Sequence, residues 1–402
     1  MVESATISES PNKTIGLLSA SQAIVGSQQA LIMSVSALVG VTMAPDPALA
    51  TLPITTMVFG LALAAGPATM IIHRFGRKRA FIGGAMLSIL GGLLAAMAII
   101  FGAFVLFCIA LFVGGSAAAF GQQYRFAAAD SVPAEMKGKA VSWVMAGGVV
   151  AGFLGPALSY WGRHWIEGAE YAGSFIAMSG LALFGIVLLT QANLARAEKR
   201  DDTEVKRPFL ELLREPDIFV PIVSGVASYG LMTLVMVAAP LAMVVVCGHP
   251  NEAATTAIQW HIVSMFAPSF ITGSIITRIG ARATTGMGLA LILGCALIAL
   301  NGIEIWHFNL ALILLGVGWN FGFIGSTTLL AQGYRPEDAA RVQAMNEQLV
   351  FGVMAVASVS SGVLLQTIGW QSINVLAIPI ATGAIALLAW GDWRARKPQA
   401  AT

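Results

Sequence analysis

Apolar runs about 20 residues long recur from one end of the chain to the other, separated by short segments that hold nearly all of its Lys and Arg. A helix rises about 1.5 Å per residue, so one such run crosses the roughly 30 Å hydrocarbon core of a bilayer. Only 10% of the 402 residues are charged, against roughly 25% in a soluble domain. That is too little charge to keep the surface of a chain this size wet, and lipid is the solvent that tolerates it. The 43 glycines suit helices that must approach closely without a hydrophobic force between them.

The runs predict an all-α membrane protein with twelve transmembrane helices in two pseudo-symmetric six-helix bundles. The expected spans are 16–42, 52–72, 80–100, 104–130, 139–160, 171–193, 217–246, 257–277, 284–302, 308–332, 342–366 and 371–391. Domain organisation follows: a tail at 1–15, a bundle at 16–193, a linker at 194–216, a second bundle at 217–391 and a tail at 392–402. The start, MVESATISESPNKT, is polar and slightly acidic, unlike the basic beginning of a cleaved signal peptide, so the first run is expected to remain as a span.

Positively charged loops stay cytoplasmic. With both termini inside, every Lys and Arg except Arg125 and Arg163 falls on the cytoplasmic side or in a cytoplasmic tail. One misplaced helix would scramble that partition. In the linker, Pro208 followed by Phe-Leu-Glu-Leu-Leu-Arg-Glu predicts a short amphipathic helix along the membrane surface, within an otherwise solvated connector.

The two halves echo each other at an offset of about 204 residues. Ile72-His73-Arg74-Phe75-Gly76-Arg77 matches Ile276-Thr277-Arg278-Ile279-Gly280-Ala281, and Pro133-Ala134-Glu135 matches Pro336-Glu337-Asp338. Parallel repeats of this kind mark transporters with a substrate site at midplane. The residues 73–79, His-Arg-Phe-Gly-Arg-Lys-Arg, resemble the loop between the second and third helices of the major facilitator superfamily. Pro133 to Lys139 resembles that family's turn after the fourth helix, and Gly152-Phe153-Leu154-Gly155-Pro156 its fifth-helix glycine-proline motif, frequent in antiporters. His73 departs from the family's aspartate and Thr69 from its glycine, so the family's aspartate-based lock does not carry over; the fifth-helix motif is incomplete. The run Gln123 to Asp130, QYRFAAAD, resembles one in the superfamily's bacterial riboflavin-uptake transporters.

The resemblance implies a secondary transporter in a bacterial inner membrane, working by alternating access as a monomer. It implies a gate built from His73, Arg74, Gly76, Arg77 and Asp130, with Asp130 paired to Arg77; a plain interfacial ion pair is the alternative. It also places the first and fourth spans of each half around the cavity. Those spans and their neighbours carry Gln22, Gln28, Gln29, Gln122, Gln123, Tyr124, Arg125, Tyr229, Trp319 and Asn320. Uncharged amides suit a polar, near-neutral solute, and Tyr229 and Trp319 suit stacking on a planar ring; the same residues also serve as interhelical glue and packing. Riboflavin is one such solute.

Charges inside lipid are costly and therefore candidates for function. Arg125 lies five residues before Asp130, about 7.5 Å deeper and roughly 140° around the helix, so the two are not an intrahelical pair. Arg125 either snorkels to the interface or bonds polar groups in the cavity. Glu347, in Met345-Asn346-Glu347-Gln348, is a candidate proton carrier because burial disfavours a charge there. A structural pair with nearby Arg341 is the alternative. His261, beside Trp260, reads as an interfacial residue at the start of the eighth span.

Other classes are disfavoured. Cys108, Cys247 and Cys295 are far apart, without CxxC or Cys/His spacing, so neither a disulfide framework nor a metal site is expected. No HExxH, GxSxG or clustered His/Asp set marks an enzyme. The phosphate-loop pattern for ATP is missing, and no cofactor is expected. Basic residues interleaved with aromatics, as nucleic acid requires, are missing too. The expected partners are a small-molecule substrate, the lipid bilayer and a coupling proton. The competing function is a proton-driven multidrug exporter of the same fold.

Overall fold

A computed structural model describes residues 11–46, 49, 52–194 and 207–396. The basic residues Arg196, Lys199, Arg200, Lys206 and Lys397, most of the expected linker and much of both tails lie outside the described residues.

The chain is helical wherever a long apolar run occurs. In order, the helices are α1 (Pro11–Met43), α2 (Leu52–Phe75), α3 (Arg77–Ile100), α4 (Phe104–Gly121), α5 (Tyr124–Ala129), α6 (Lys137–Gly162) and α7 (Ala172–Gln191). They continue with α8 (Phe209–Leu212), α9 (Pro216–Leu241), α10 (Asn251–Phe266), α11 (Ser269–Ile279), α12 (Ala281–Asn301), α13 (Ile305–Gly333) and α14 (Ala339–Arg396). Among the described residues, nine helical segments are long and apolar enough to cross a membrane. The count becomes ten if α10 and α11, bent by 44° at Ala267–Pro268, are one span. The bend follows from Pro268, which lacks the N–H that a continuous helix needs. α14 runs for 58 residues but breaks at Gly369, whose φ of 80° leaves the helical region. The sequence places its boundary between two spans there.

Two compact units form. The first holds the described residues of Met1–Pro133, Trp143–Glu204 and Gln343–Phe351; the second holds those of Ala134–Ser142, Val205–Val342 and Gly352–Thr402. Each unit is therefore built mainly from one half of the sequence, yet takes in a short helical segment of the other half.

In the first unit, α2 and α4 pack backbone against backbone. A Cβ on Gly60 would strike the Phe112 carbonyl, and one on Gly115 would strike the Met57 carbonyl. Thr56 adds a hydroxyl bond to Cys108 O at 2.9 Å. In the second unit α12 and α13 meet the same way, with Gly288 against Gly322. Small residues permit this because lipid supplies no competing hydrophobic drive, and van der Waals contact then favours the closest approach. Leu63, Phe153 and Val356 are 59%, 64% and 66% exposed, as apolar side chains facing acyl chains should be.

The repeat is visible in the backbone. Gly76 (φ 86°, ψ 148°) and Gly280 (φ 89°, ψ 155°) share one conformation, which is almost closed to residues bearing a Cβ. Ala134–Met136 and Pro336–Asp338 both form a single 3-10 turn. The expected linker helix is α8, a single turn capped by Pro208, with Leu212 buried and Leu210 65% exposed. Arg207, just before it, bonds Glu215, Glu211 and, at 3.0 Å, Asp338. The bonds to Glu215 first and Glu211 next push the guanidinium pKa further up.

Candidate functional site

The first unit brings charge into its interior. The α4 helix tightens after Gly121, where Gln123 N–H bonds Phe120 O at 3.2 Å, and α5 continues the same span with Arg125 in its first turn. Arg125 Nη2 pairs with Glu347 Oε1, contributed by α14, and each side chain is 1% exposed. Arg125 therefore bonds inside the protein and does not snorkel. Its Nη1 donates to Gln122 Oε1 at 3.3 Å, and its guanidinium lies 5.0 Å from the centre of the Phe126 ring. Glu347 Oε1 also accepts from Asn346 Nδ2 at 2.9 Å, while Oε2 has no hydrogen-bond partner among the described residues.

A buried ion pair is maintained only when attraction and hydrogen bonds offset the desolvation of both charges. Here one carboxylate oxygen is satisfied and the other is not, so the pair is held but incomplete. Such an arrangement can take a proton on Glu347 or exchange the Arg125 contact for a ligand acceptor. The sequence sets Arg341 near Glu347, but Arg341 belongs to the second unit. There it donates to Arg207 O and lies 5.5 Å from the Phe209 ring.

In the same unit, Arg77 and Asp130 form the ion pair that the family resemblance implies, with side chains 15% and 23% exposed. Gln343 ties it to His73: its Nε2 donates to Asp130 Oδ2 at 3.4 Å, and its Oε1 lies 3.3 Å from His73 Nε2. Thr69, where the family has glycine, accepts from Gln123 Nε2 at 2.7 Å. Arg74 lies 5.4 Å from the Phe75 ring centre, and Gly76 supplies the turn. Sequence reasoning did not single out Gln343. Its signal is a polar cluster, Gln343, Asn346, Glu347 and Gln348, at the head of an otherwise apolar run.

The amides divide. Gln28 is bonded at both ends of its amide, donating to Met178 O at 3.2 Å and accepting from Ser88 Oγ at 2.9 Å. It lines a cavity of about 20 Å³ with Ser21, Ser88 and Tyr124, which is room for roughly one water. Tyr124 is 3% exposed and packs edge-on to Phe81, 4.7 Å between ring centres. Gln22 and Gln29 make no side-chain hydrogen bond among the described residues, and Gln22 is buried while Gln29 is half-buried.

In the second unit, Tyr229 on α9, Phe266 on α10 and Trp319 and Phe323 on α13 form one aromatic cluster. Trp319 is 5.4 Å from Tyr229, 5.7 Å from Phe266 and 5.3 Å from Phe323, the last stacked. Trp319 Nε1 is buried without a hydrogen-bond partner among the described residues. Asn320, one residue on, is spent on structure. Its Nδ2 donates to Met265 O and Ser269 Oγ, and its Oδ1 accepts from Thr272, all at 2.6 Å. It sutures the backbone where Pro268 breaks the helix. His261 is 0% exposed and bonds Leu312 O at 2.8 Å through Nδ1, so it is a core residue and not an interfacial one.

Residues 18–359 match the family model for the Major Facilitator Superfamily. A riboflavin transporter of Brucella anthropi, RfnT, is 42% identical over 370 residues, covering 92% of this chain and 93% of that protein. The fucose:proton symporter FucP of E. coli has the same fold, with a TM-score of 0.74 at 14% identity over 95% of this chain and 99% of that one. A bacterial homologue of the iron transporter ferroportin aligns with a TM-score of 0.72 at 15% identity, over 95% and 100% of the two chains. With apolar helices of membrane-spanning length throughout and this match across most of its residues, the chain belongs to the major facilitator superfamily and is a multi-pass membrane transporter.

Proposed function

We propose that this protein imports riboflavin, or a closely similar planar and near-neutral solute, across a bacterial inner membrane by alternating access. The observation that carries the reading is the 42% identity to a riboflavin transporter, which runs through nearly the full length of both chains. Two features support it. The aromatic cluster of Tyr229, Phe266, Trp319 and Phe323 offers ring faces to a flat ligand. The locus of Gln122, Arg125, Asn346 and Glu347 offers adjacent donors and acceptors with no net charge.

The topology proposed is twelve spans with both termini cytoplasmic and two six-helix bundles. It adds α1 to the ten segments above and counts α14 as two spans split at Gly369. Gln22, Gln29, Gln122, Gln123, Tyr124, Arg125, Tyr229 and Trp319 contribute to the substrate path, and Gln28 and Asn320 support it. His73, Arg74, Gly76, Arg77 and Asp130 form the gate, and Glu347 carries the coupling proton in a monomeric carrier.

Uptake of radiolabelled riboflavin by cells lacking other flavin importers tests the reading. Accumulation above empty vector, reduced by a protonophore, is expected. Background-level uptake would remove the substrate assignment. The competing reading, drug export, rests on the glycine-proline motif of α6. There Gly155 packs against α1, its Cβ position 2.7 Å from Ser27 O. Lowered sensitivity to dyes and antibiotics on expression would favour it.

A further inference from the structure

The first unit encloses a small polar cavity among its own helices. Its wall takes Ser21 and Gln28 from α1, Ser88 from α3, Tyr124 from α5 and Gly185 from α7. Phe120 and Tyr124 both line it, so it lies beside the irregular turn where α4 passes into α5. Neighbouring helices interdigitate when their side chains follow a regular winding. Beside this turn a space of about 20 Å³ is left. A buried water needs roughly 10–15 Å³ and two to four polar partners.

The polar groups of the wall complement a water molecule bond for bond. Ser21 Oγ gives its proton to Leu17 O at 2.9 Å, and Ser88 Oγ gives its own to Gln28 Oε1 at 2.9 Å. Both hydroxyl oxygens keep lone pairs and are left as acceptors. Gln28 Nε2 donates one proton to Met178 O at 3.2 Å and keeps a second. The Tyr124 hydroxyl also keeps its proton: it bonds none of the described residues, and its ring meets Phe81 edge-on. All four side chains are buried, so bulk solvent does not serve them. Two donors and two acceptors are left over, and a water supplies two of each.

We propose that this cavity is a binding site for one ordered water, which accepts from Tyr124 and Gln28 and donates to Ser21 and Ser88. Cavities that stay dry have apolar walls, and a wall with four polar groups holds water. The water ties α5 to α1 and α3 where the span loses its regular winding. Tyr124 stands next to Arg125, so the same bonds steady the turn that carries the buried ion pair. Tyr124 then serves the transport path through that turn and not through its hydroxyl. The site goes beyond the transport reading, and no substrate enters its test.

Radiolytic hydroxyl-radical footprinting of the full-length protein in nanodiscs tests the site directly, because radicals made from an ordered water mark the side chains beside it. Tyr124 should be oxidised several-fold faster than Phe107 and Phe175, which are 0% exposed and do not line the cavity. Oxidation of Tyr124 no faster than of those two rings would overturn the proposal. Tyr124→Phe adds a test with a sign, since it keeps the ring against Phe81 and removes one donor. With a water bonded there, the melting temperature should fall by about 1–3 °C. In a dry cavity the wild-type hydroxyl is a stranded buried group, and losing it costs nothing. A raised or unchanged melting temperature would therefore overturn the water site as well.

Discussion

The interiors of the two units solve the same problem with opposite chemistry. The first unit buries a full ion pair, Arg125 with Glu347, and surrounds it with amides. The second packs four aromatic rings together, Trp319 and Phe323 buried and Tyr229 and Phe266 half-buried, and uses the amide of Asn320 to brace a broken helix. A charge pair responds to protons and to the charge of a ligand, whereas an aromatic cluster responds to shape and flatness. The function proposed above accordingly assigns energy coupling to the first unit and ring recognition to the second.

Removing one charge tests that division most severely. Arg125→Met leaves Glu347 buried and unpaired, and a loss of about 3–5 kcal/mol is expected in the detergent melting of the purified protein. Arg125→Met with Glu347→Met should recover most of that stability, because an apolar pair of similar volume tolerates the site, while uptake stays abolished.

Asn320→Ala comes next. It strands the Met265 carbonyl and the Ser269 hydroxyl, while Thr272 keeps its bond to Pro268 O, at about 1–3 kcal/mol for the buried groups left unsatisfied. Because the residue is structural, the uptake rate per folded molecule should hold. A fall in that rate at normal stability would make Asn320 a substrate contact.

Tyr229→Leu removes one ring from a cluster in which each aromatic pair contributes about 0.5–1.5 kcal/mol. A rise of roughly 3- to 10-fold in KM for riboflavin is expected, with kcat and melting little changed. A change in kcat alone would contradict a role in recognition. The smallest effect belongs to Glu211→Ala, one turn after Arg207 on the second unit. Its carboxylate is 52% exposed and Arg207 keeps its bonds to Glu215 and Asp338, so the melting shift should be slight and should vanish in high salt.

Much of the fold is legible in the sequence because lipid imposes a one-dimensional rule: every crossing needs its own apolar run. The expected 52–72, 171–193 and 308–332 lie within a few residues of α2, α7 and α13. The boundary inside α14 is readable from Gly369, and the pairing of Arg77 with Asp130 follows from the family resemblance. Hydropathy does not say which buried polar group meets which. Arg125 and Glu347 are 222 residues apart, and nothing local to either identifies the other, so the nearer Arg341 drew attention. Asn320 looks like a cavity amide because the partners it bonds, Met265 O and Ser269 Oγ on either side of the helix break, lie 51 to 55 residues away. Gln343 escapes for the same reason: it bonds Asp130 and approaches His73, which only three dimensions bring to it.

The central claim is that the Arg125–Glu347 pair works in transport and is not merely a structural tie. Riboflavin uptake by the Arg125→Met, Glu347→Met double variant, set beside its melting curve and the wild-type protein, tests this most directly. The account predicts a folded, thermally stable protein that fails to accumulate riboflavin, beside a wild type that does. A double variant that accumulates riboflavin at the wild-type rate would contradict it.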